Sequence, residues 1–240
     1  MSIKSSKSNS SSTGSSLDFF EGQKDSKCGV HALNNLYRNY DGPSFIKNLF
    51  FTHGLCKAPR GLEVSRRIDV DAICKTILKK KLLGKEKKEQ KSIKANWECS
   101  SEGNYRIEIL EKAIVETGID IIDYSVQLTN VELQDTDAAR DEFYLQLKAK
   151  ANNRGLLGFL VQNKDYGGHY VAVLPKNGKL LWVDSADNWK SEKIENRPLK
   201  DGKWSGFRYL TRKKFRALLK EITLVYELLD IATVEETEEE

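Results

Sequence analysis

The chain predicts an α+β fold, and three observations carry the prediction. Its first half holds segments with helical apolar spacing, at 28–40, 68–83 and 105–117. Its second half holds short apolar runs, at 155–162, 169–174 and 179–184, that read as strands. Asn177-Gly178 between the last two is a type I′ hairpin signal, which makes that part of the sheet antiparallel. Helices first and strands after is the order of an α+β domain rather than of an alternating one.

The elements follow in order. Residues 1–16 are dominated by Ser with almost no apolar content, so they cannot offset the entropy of ordering and are expected to be disordered. They also lack the apolar stretch of a signal peptide. Order is expected from Leu17, and one domain over 17–230 suits a chain of 240 residues. Segment 28–40 places Ala32, Leu33, Leu36 and Tyr37 on one helical face. Segment 68–83 does the same with Ile68, Ala72, Ile73, Ile77 and Leu78, and Gly84 ends it. The Lys-rich 85–94 reads as a solvated continuation or loop. Ile107, Leu110, Ala113 and Ile114 make a helix that stops at Gly118, and 119–124 is a strand. Helix 138–151 turns Phe143, Tyr144 and Leu147 inward. Strand 155–162 shows little alternation, which predicts burial on both faces. A helix at 211–220, with Phe215, Leu218 and Leu219 inward, precedes a closing strand at 222–229. The tail 231–240 ends as an acidic run.

Charge and cysteine usage narrow the classes. The net charge of +4 is modest but uneven, with Lys concentrated between Lys75 and Lys94 and Glu at the C-terminus. The Lys run lacks interleaved aromatics, which argues against nucleic acid and for a solvated surface. No run of about 18 apolar residues is present, so no membrane span is expected. Cys28, Cys56, Cys74 and Cys99 are widely spaced with no CxxC pair. A disulfide framework and a zinc ribbon are not expected, and Cys56, Cys74 and Cys99 read as plain thiols in a reducing compartment.

The chemistry-bearing residues lie around Cys28. A nucleophilic Cys must be a thiolate, and a free thiol with a pKa of ~8.5 mostly is not one at neutral pH. A helix N-terminus and a neighbouring imidazole both favour the thiolate. Cys28 sits where the apolar helical spacing starts. His31, on the same helix, points away from its tip and reads as structural, and His53 lies in a loop-like context. His169 opens a strand, and Asp184 ends the next one. A hairpin turning at Asn177-Gly178 brings the two near-opposite each other, where a carboxylate can orient the imidazole. Gln23, five residues before Cys28, is placed to donate to an oxyanion, a contact whose loss costs about 10²-fold or more in rate. Gly29, Gly167, Gly168 and Tyr170 flank the Cys and the His and are expected on the substrate side.

These residues resemble a known family. Gln23…Cys28-Gly-Val-His31-Ala-Leu-Asn34-Asn35-Leu36 is similar to the Josephin signature. His169-Tyr170-Val171-Ala172-Val173 and the fifteen-residue step to Asp184 match that family's later strand motif. The resemblance runs from about Phe19 to Leu229, with little match at 41–101, where Josephins carry a helical arm. It implies a papain-like cysteine protease fold, with a helical half, a protruding arm and a mainly antiparallel sheet. It also implies deubiquitination, the hydrolysis of isopeptide or peptide bonds after the C-terminal Gly of ubiquitin or polyubiquitin. Carried over, Cys28 is the nucleophile, His169 the base, Asp184 the orienter and Gln23 the oxyanion donor. No metal or organic cofactor is implied. Three rivals stay open: action on a ubiquitin-like modifier, another papain-like acyl transfer (glutamine deamidase, transglutaminase or double-glycine peptidase), and a non-catalytic ubiquitin-binding module. The location implied is cytoplasmic. The Glu-rich C-terminus also resembles the signals of bacterial type IV effectors, which adds delivery into a host cytosol as a second reading.

Overall fold

A computed structural model describes residues 27–40, 48–52, 64, 66–97, 99, 105–128, 135–163, 168–185, 207–220 and 222–230. The Ser-rich 1–16, Gln23, His53, Cys56, Gly167 and the acidic 231–240 lie outside the described residues. In chain order the elements are α1 (Cys28–Arg38), β1 (Asn48–Phe51), β2 (Arg66–Asp69), α2 (Val70–Leu82), α3 (Lys87–Asn96), α4 (Ile107–Val115), β3 (Asp120–Asp123) and the turn α5 (Ser125–Leu128). They continue with α6 (Asp137–Lys150), β4 (Leu156–Asn163), β5 (His169–Lys176), β6 (Lys179–Val183), β7 (Phe207–Tyr209), α7 (Arg212–Leu219) and β8 (Ile222–Leu229).

The second half forms a six-stranded sheet in the order β3-β8-β4-β5-β6-β7, and every neighbouring pair in it is antiparallel. The hairpin between β5 and β6 turns at Asn177 and Gly178, with φ of 53° and 66°. Both central residues have the positive φ that a type I′ turn needs, as the Asn-Gly pair predicts. Helices cover both faces of the sheet. Tyr170, Ala172 and Leu174 of β5 point toward α1, α2 and α4, into a core with Leu33, Leu36, Leu110 and Ile114. Val171 and Val173 point the other way, onto Phe143 and Leu147 of α6 and Phe215 of α7. The period-2 alternation of β5 thus serves two cores, and β4 is buried on both faces as its unbroken apolar run predicts. Each such Leu, Val or Phe contributes roughly 1.5–3 kcal/mol by leaving water.

Helix starts follow local rules at three places. Asp69, Thr136 and Thr211 cap α2, α6 and α7, accepting from the N–H groups of Ala72, Ala139 and Lys214. Gly118, at φ 82°, ends the turn that follows α4, in a conformation that favours glycine. The buried Glu227 of β8 takes Lys150 Nζ at 2.9 Å and the Tyr124 hydroxyl, tying α6 to the sheet.

The structure corrects three expectations in the first half. The helix read at 68–83 begins at Val70, because Arg66–Asp69 pairs in parallel with Asn48–Phe51. The stretch 85–94, read as a solvated continuation or loop, is mostly α3, a separate helix after the turn that ends α2. Its support is an i,i+4 ion pair of Lys85 with Glu89 at 2.7 Å and the packing of Ile93 against the core. Cys74 and Cys99 are not plain thiols but are joined in a disulfide, with Cα atoms 5.6 Å apart. The turn between α2 and α3 folds the chain back and delivers Cys99 beside the buried face of α2. β7, on the sheet edge beyond β6, has no counterpart in the sequence reading.

Candidate active site

Cys28 is the first residue of α1. The helix starts there because Lys27 C=O accepts from the N–H groups of Val30 and His31, at 3.0 and 3.3 Å. Its inward residues, Val30, Leu33 and Leu36, then bury completely. The Sγ therefore sits at the N-terminal end of α1, where the helix dipole places partial positive charge. α1 approaches its neighbours closely at Gly29, where an added Cβ would lie 2.7 Å from Leu110 Cδ1 and 3.4 Å from Tyr170 Cδ2. The glycine lets the first turn of α1 settle onto α4 and β5. One result is that the Tyr170 backbone N–H donates to Cys28 Sγ at 3.3 Å.

Asn34, further along the same helix, explains part of the Asn-Asn motif. Its amide accepts from Phe50 N–H at 2.8 Å and donates to Phe50 C=O at 2.9 Å. A single side chain thereby satisfies both backbone groups of a buried strand residue and fixes α1 against β1. His31, 3% exposed, is built into the interior of α1, in keeping with its structural reading.

His169 opens β5, and its Nε2 lies 2.7 Å from Asp184 Oδ1. In the hairpin Ala172 faces Val183 and Lys176 faces Lys179. Asp184, next after Val183, continues that register to the level of Val171, two residues from His169. The pair is therefore diagonal across the hairpin, a spacing within reach of long side chains. Burial works against the charged imidazole. The bonds to Asp184 and to Cys28, with the negative charge those partners bring, outweigh it and push His169 up from 6.5 to about 10. With Nε2 on the carboxylate, Nδ1 is the nitrogen facing the thiol. At neutral pH the site is thus built to hold an imidazolium between a carboxylate and a sulfur, the arrangement that a thiol nucleophile requires.

The structure brings together Cys28, His169 and Asp184. Gln23 and Gly167 lie outside the described residues. Gly168 has φ 89° and abuts Gln162, where an added Cβ would come within 2.9 Å of the amide nitrogen, so it shapes the entry into β5. Gly29 and Tyr170, expected on the substrate side, are both buried. Gly29 is packed beneath Leu110, and strand alternation turns Tyr170, 2% exposed, into the α1 core. What Tyr170 offers the site is its main-chain N–H, which sequence reasoning missed because a backbone donor leaves no mark on residue type. Also missed is a buried ion pair between Lys27 and Asp71 beside Cys28, whose one local sign is a Lys where a helix start favours Ser, Thr or Asp.

Among the described residues no group of His, Cys, Asp and Glu clusters as a metal site, and no helix is long and apolar enough to cross a membrane. No curated protein matches the chain. The Josephin family model matches residues 23–201, beginning at Gln23 and taking in Cys28, His169 and Asp184. The matched span is well over half of the chain, although the sheet is completed beyond it by β7 at its edge and by β8, which lies between β3 and β4. With a papain-like α+β architecture and that match, the chain belongs to the Josephin family of deubiquitinase-type cysteine proteases.

Proposed function

We propose that this protein hydrolyses the bond that follows the C-terminal Gly of ubiquitin, with Cys28 as nucleophile, His169 as acid and base and Asp184 as orienter. The observation that carries the reading is the line Asp184–His169–Cys28 at the N-terminus of α1, with Nε2 to Oδ1 at 2.7 Å. The Cys28 thiolate attacks the carbonyl of the terminal Gly. The imidazolium delivers its proton to the leaving amine, and a thioester to Cys28 forms. His169, now neutral, takes a proton from water, and the hydroxide that results cleaves the thioester, expels the sulfur as thiolate and restores the thiolate–imidazolium pair. Asp184 keeps the ring in one tautomer and stabilises its charged form through both steps. Gln23, at the start of the family match, is the residue proposed to donate to the oxyanion.

The test is incubation with ubiquitin bearing a C-terminal thiol-reactive electrophile, for the parent and for Cys28→Ala. An adduct in the parent alone supports both the nucleophile and ubiquitin as the partner. A folded parent that forms none would overturn ubiquitin as the ligand and turn attention to ubiquitin-like modifiers or glutamine deamidation.

A further inference from the structure

Lys27 is the N-cap of α1 and the residue directly before Cys28, and its side chain makes no capping bond. It is 1% exposed. A cation at a helix N-terminus opposes the dipole, and a buried cation is costly unless it is paired and hydrogen-bonded. Lys27 is both. Its Nζ lies 3.3 and 3.5 Å from the two carboxylate oxygens of Asp71 and donates to the Tyr105 hydroxyl at 3.1 Å. The Tyr105 hydroxyl in turn donates to Asp71 Oδ1, which closes a buried ring of three side chains.

The placement of this ring matters more than its strength. Asp71 lies in the first turn of α2, and Tyr105 stands just before α4. Three helix starts therefore meet at one network, and one of them carries the thiol. A carboxylate at the head of α2 suits that helix's dipole, whereas the Lys at the head of α1 runs against its own and is paired with Asp71. A local rule broken at a helix start and compensated from 44 residues away is the kind of exception found at functional sites.

We propose that Lys27, Asp71 and Tyr105 are positioning residues that clamp the first turn of α1. They hold Cys28 Sγ in register with the Tyr170 N–H and His169, and they make the arm helix α2 part of the nucleophile's support. The inference rests on the reading of Cys28 as the nucleophile. None of the three touches the reacting atoms. Their effect is geometric, and a displacement near 1 Å at such a site is worth about 10²-fold in rate.

The test uses the double variant Lys27→Met/Asp71→Leu, which removes both charges and leaves neither one buried alone, together with Tyr105→Phe, which keeps the ion pair. Thermal unfolding checks the fold. Two readouts follow: kcat and KM on a ubiquitin C-terminal amide, and the rate of Cys28 alkylation by iodoacetamide at neutral pH, which needs no ubiquitin. The double variant is expected to unfold cooperatively, keep KM, lose about 10- to 100-fold in kcat and alkylate about tenfold more slowly. Tyr105→Phe is expected to lose about 3- to 10-fold in both rates. A folded double variant with parental kcat and alkylation would overturn the clamp. Should that variant fail to fold, parental rates in Tyr105→Phe would overturn it equally. A parent that alkylates rapidly but ignores ubiquitin would sink the substrate reading alone, and the variants' alkylation rates would still decide the clamp.

Discussion

Asp184→Asn separates the charge of the orienting residue from its shape. Asp184 is buried and His169 partly so, with side chains 5% and 12% exposed, and the contact is 2.7 Å. A charge-assisted bond in such a setting contributes roughly 1.5–3 kcal/mol. If that stabilisation serves the imidazolium in the transition state, its loss lowers kcat/KM by about 10- to 150-fold. The pH profile is the sharper readout. In the parent the imidazole is held up at about 10, so activity should persist into the alkaline range and fall as His169 loses its proton near there. In the variant burial, the largest influence on the ring, is no longer offset by the carboxylate, and the alkaline limb should move down toward neutrality. Stability follows the same proton. Because the folded value is raised above 6.5, the pairing stabilises the native state fully below that pH and ceases to do so as pH rises through about 10. The difference in unfolding free energy between parent and variant should therefore be widest in mild acid and close across that window. Hydrolysis of a ubiquitin C-terminal fluorogenic amide across this range, with chemical denaturation alongside, measures both. A parent whose activity already collapses near 6.5, or a variant that keeps the parental alkaline limb, would refute the placement of Asp184 against His169.

Other substitutions test the supports of the site. Gly29→Ala places a methyl group 2.7 Å from buried Leu110 and should cost about 1–3 kcal/mol, seen as a lower melting temperature together with a loss of kcat. An unchanged melting temperature would mean that α1 has room to shift. Asn34→Ala strands the buried N–H and C=O of Phe50 and should lower stability by about 2–4 kcal/mol, or roughly 5–15 °C in melting temperature. A shift of under about 2 °C would show that water replaces the amide. Cys28→Ala should abolish turnover and change the melting temperature by no more than about 4 °C, since a small side chain replaces a small one. A larger drop would assign the thiol a structural role as well.

How much of the fold was legible depended on whether an element's reason for existing is local. α1, α6, α7 and β8 carry their own apolar period, and their ends fall within two residues of the reading. The β5–β6 hairpin is written into Asn177-Gly178. The parallel pair β1–β2 has no such mark. Each strand is four residues long, β2 exposes Arg66 and Arg67, and Ile68 fits a helical face equally well. Only the partner strand decides the matter. α3 fails for the opposite reason. Its apolar content is too thin to show a period, and it is helical through Lys, Glu and Gln, which favour helices intrinsically. The Cys74–Cys99 bridge depends on how α2 and α3 fold back on each other, which spacing along the chain does not encode.

The site divides along the same line, and the division bears on how it works. Cys28, His169 and Asp184 could be found because their chemistry resides in side chains. The backbone donor to Sγ could not, because it is the main chain of Tyr170, 142 residues from the sulfur. Since no side chain supplies that bond, residue type at 170 answers to packing, and the tyrosine ring fills the space above Gly29. Enlarging Gly29 or shrinking Tyr170 would therefore act on the nucleophile through the seat of the helix while every catalytic side chain stayed in place. The core residues at this seam bear on the Cys28 site in a mechanical sense. The glycine that admits the ring, the ring that steadies the strand and the strand that presents its N–H form one chain of contacts ending at the sulfur.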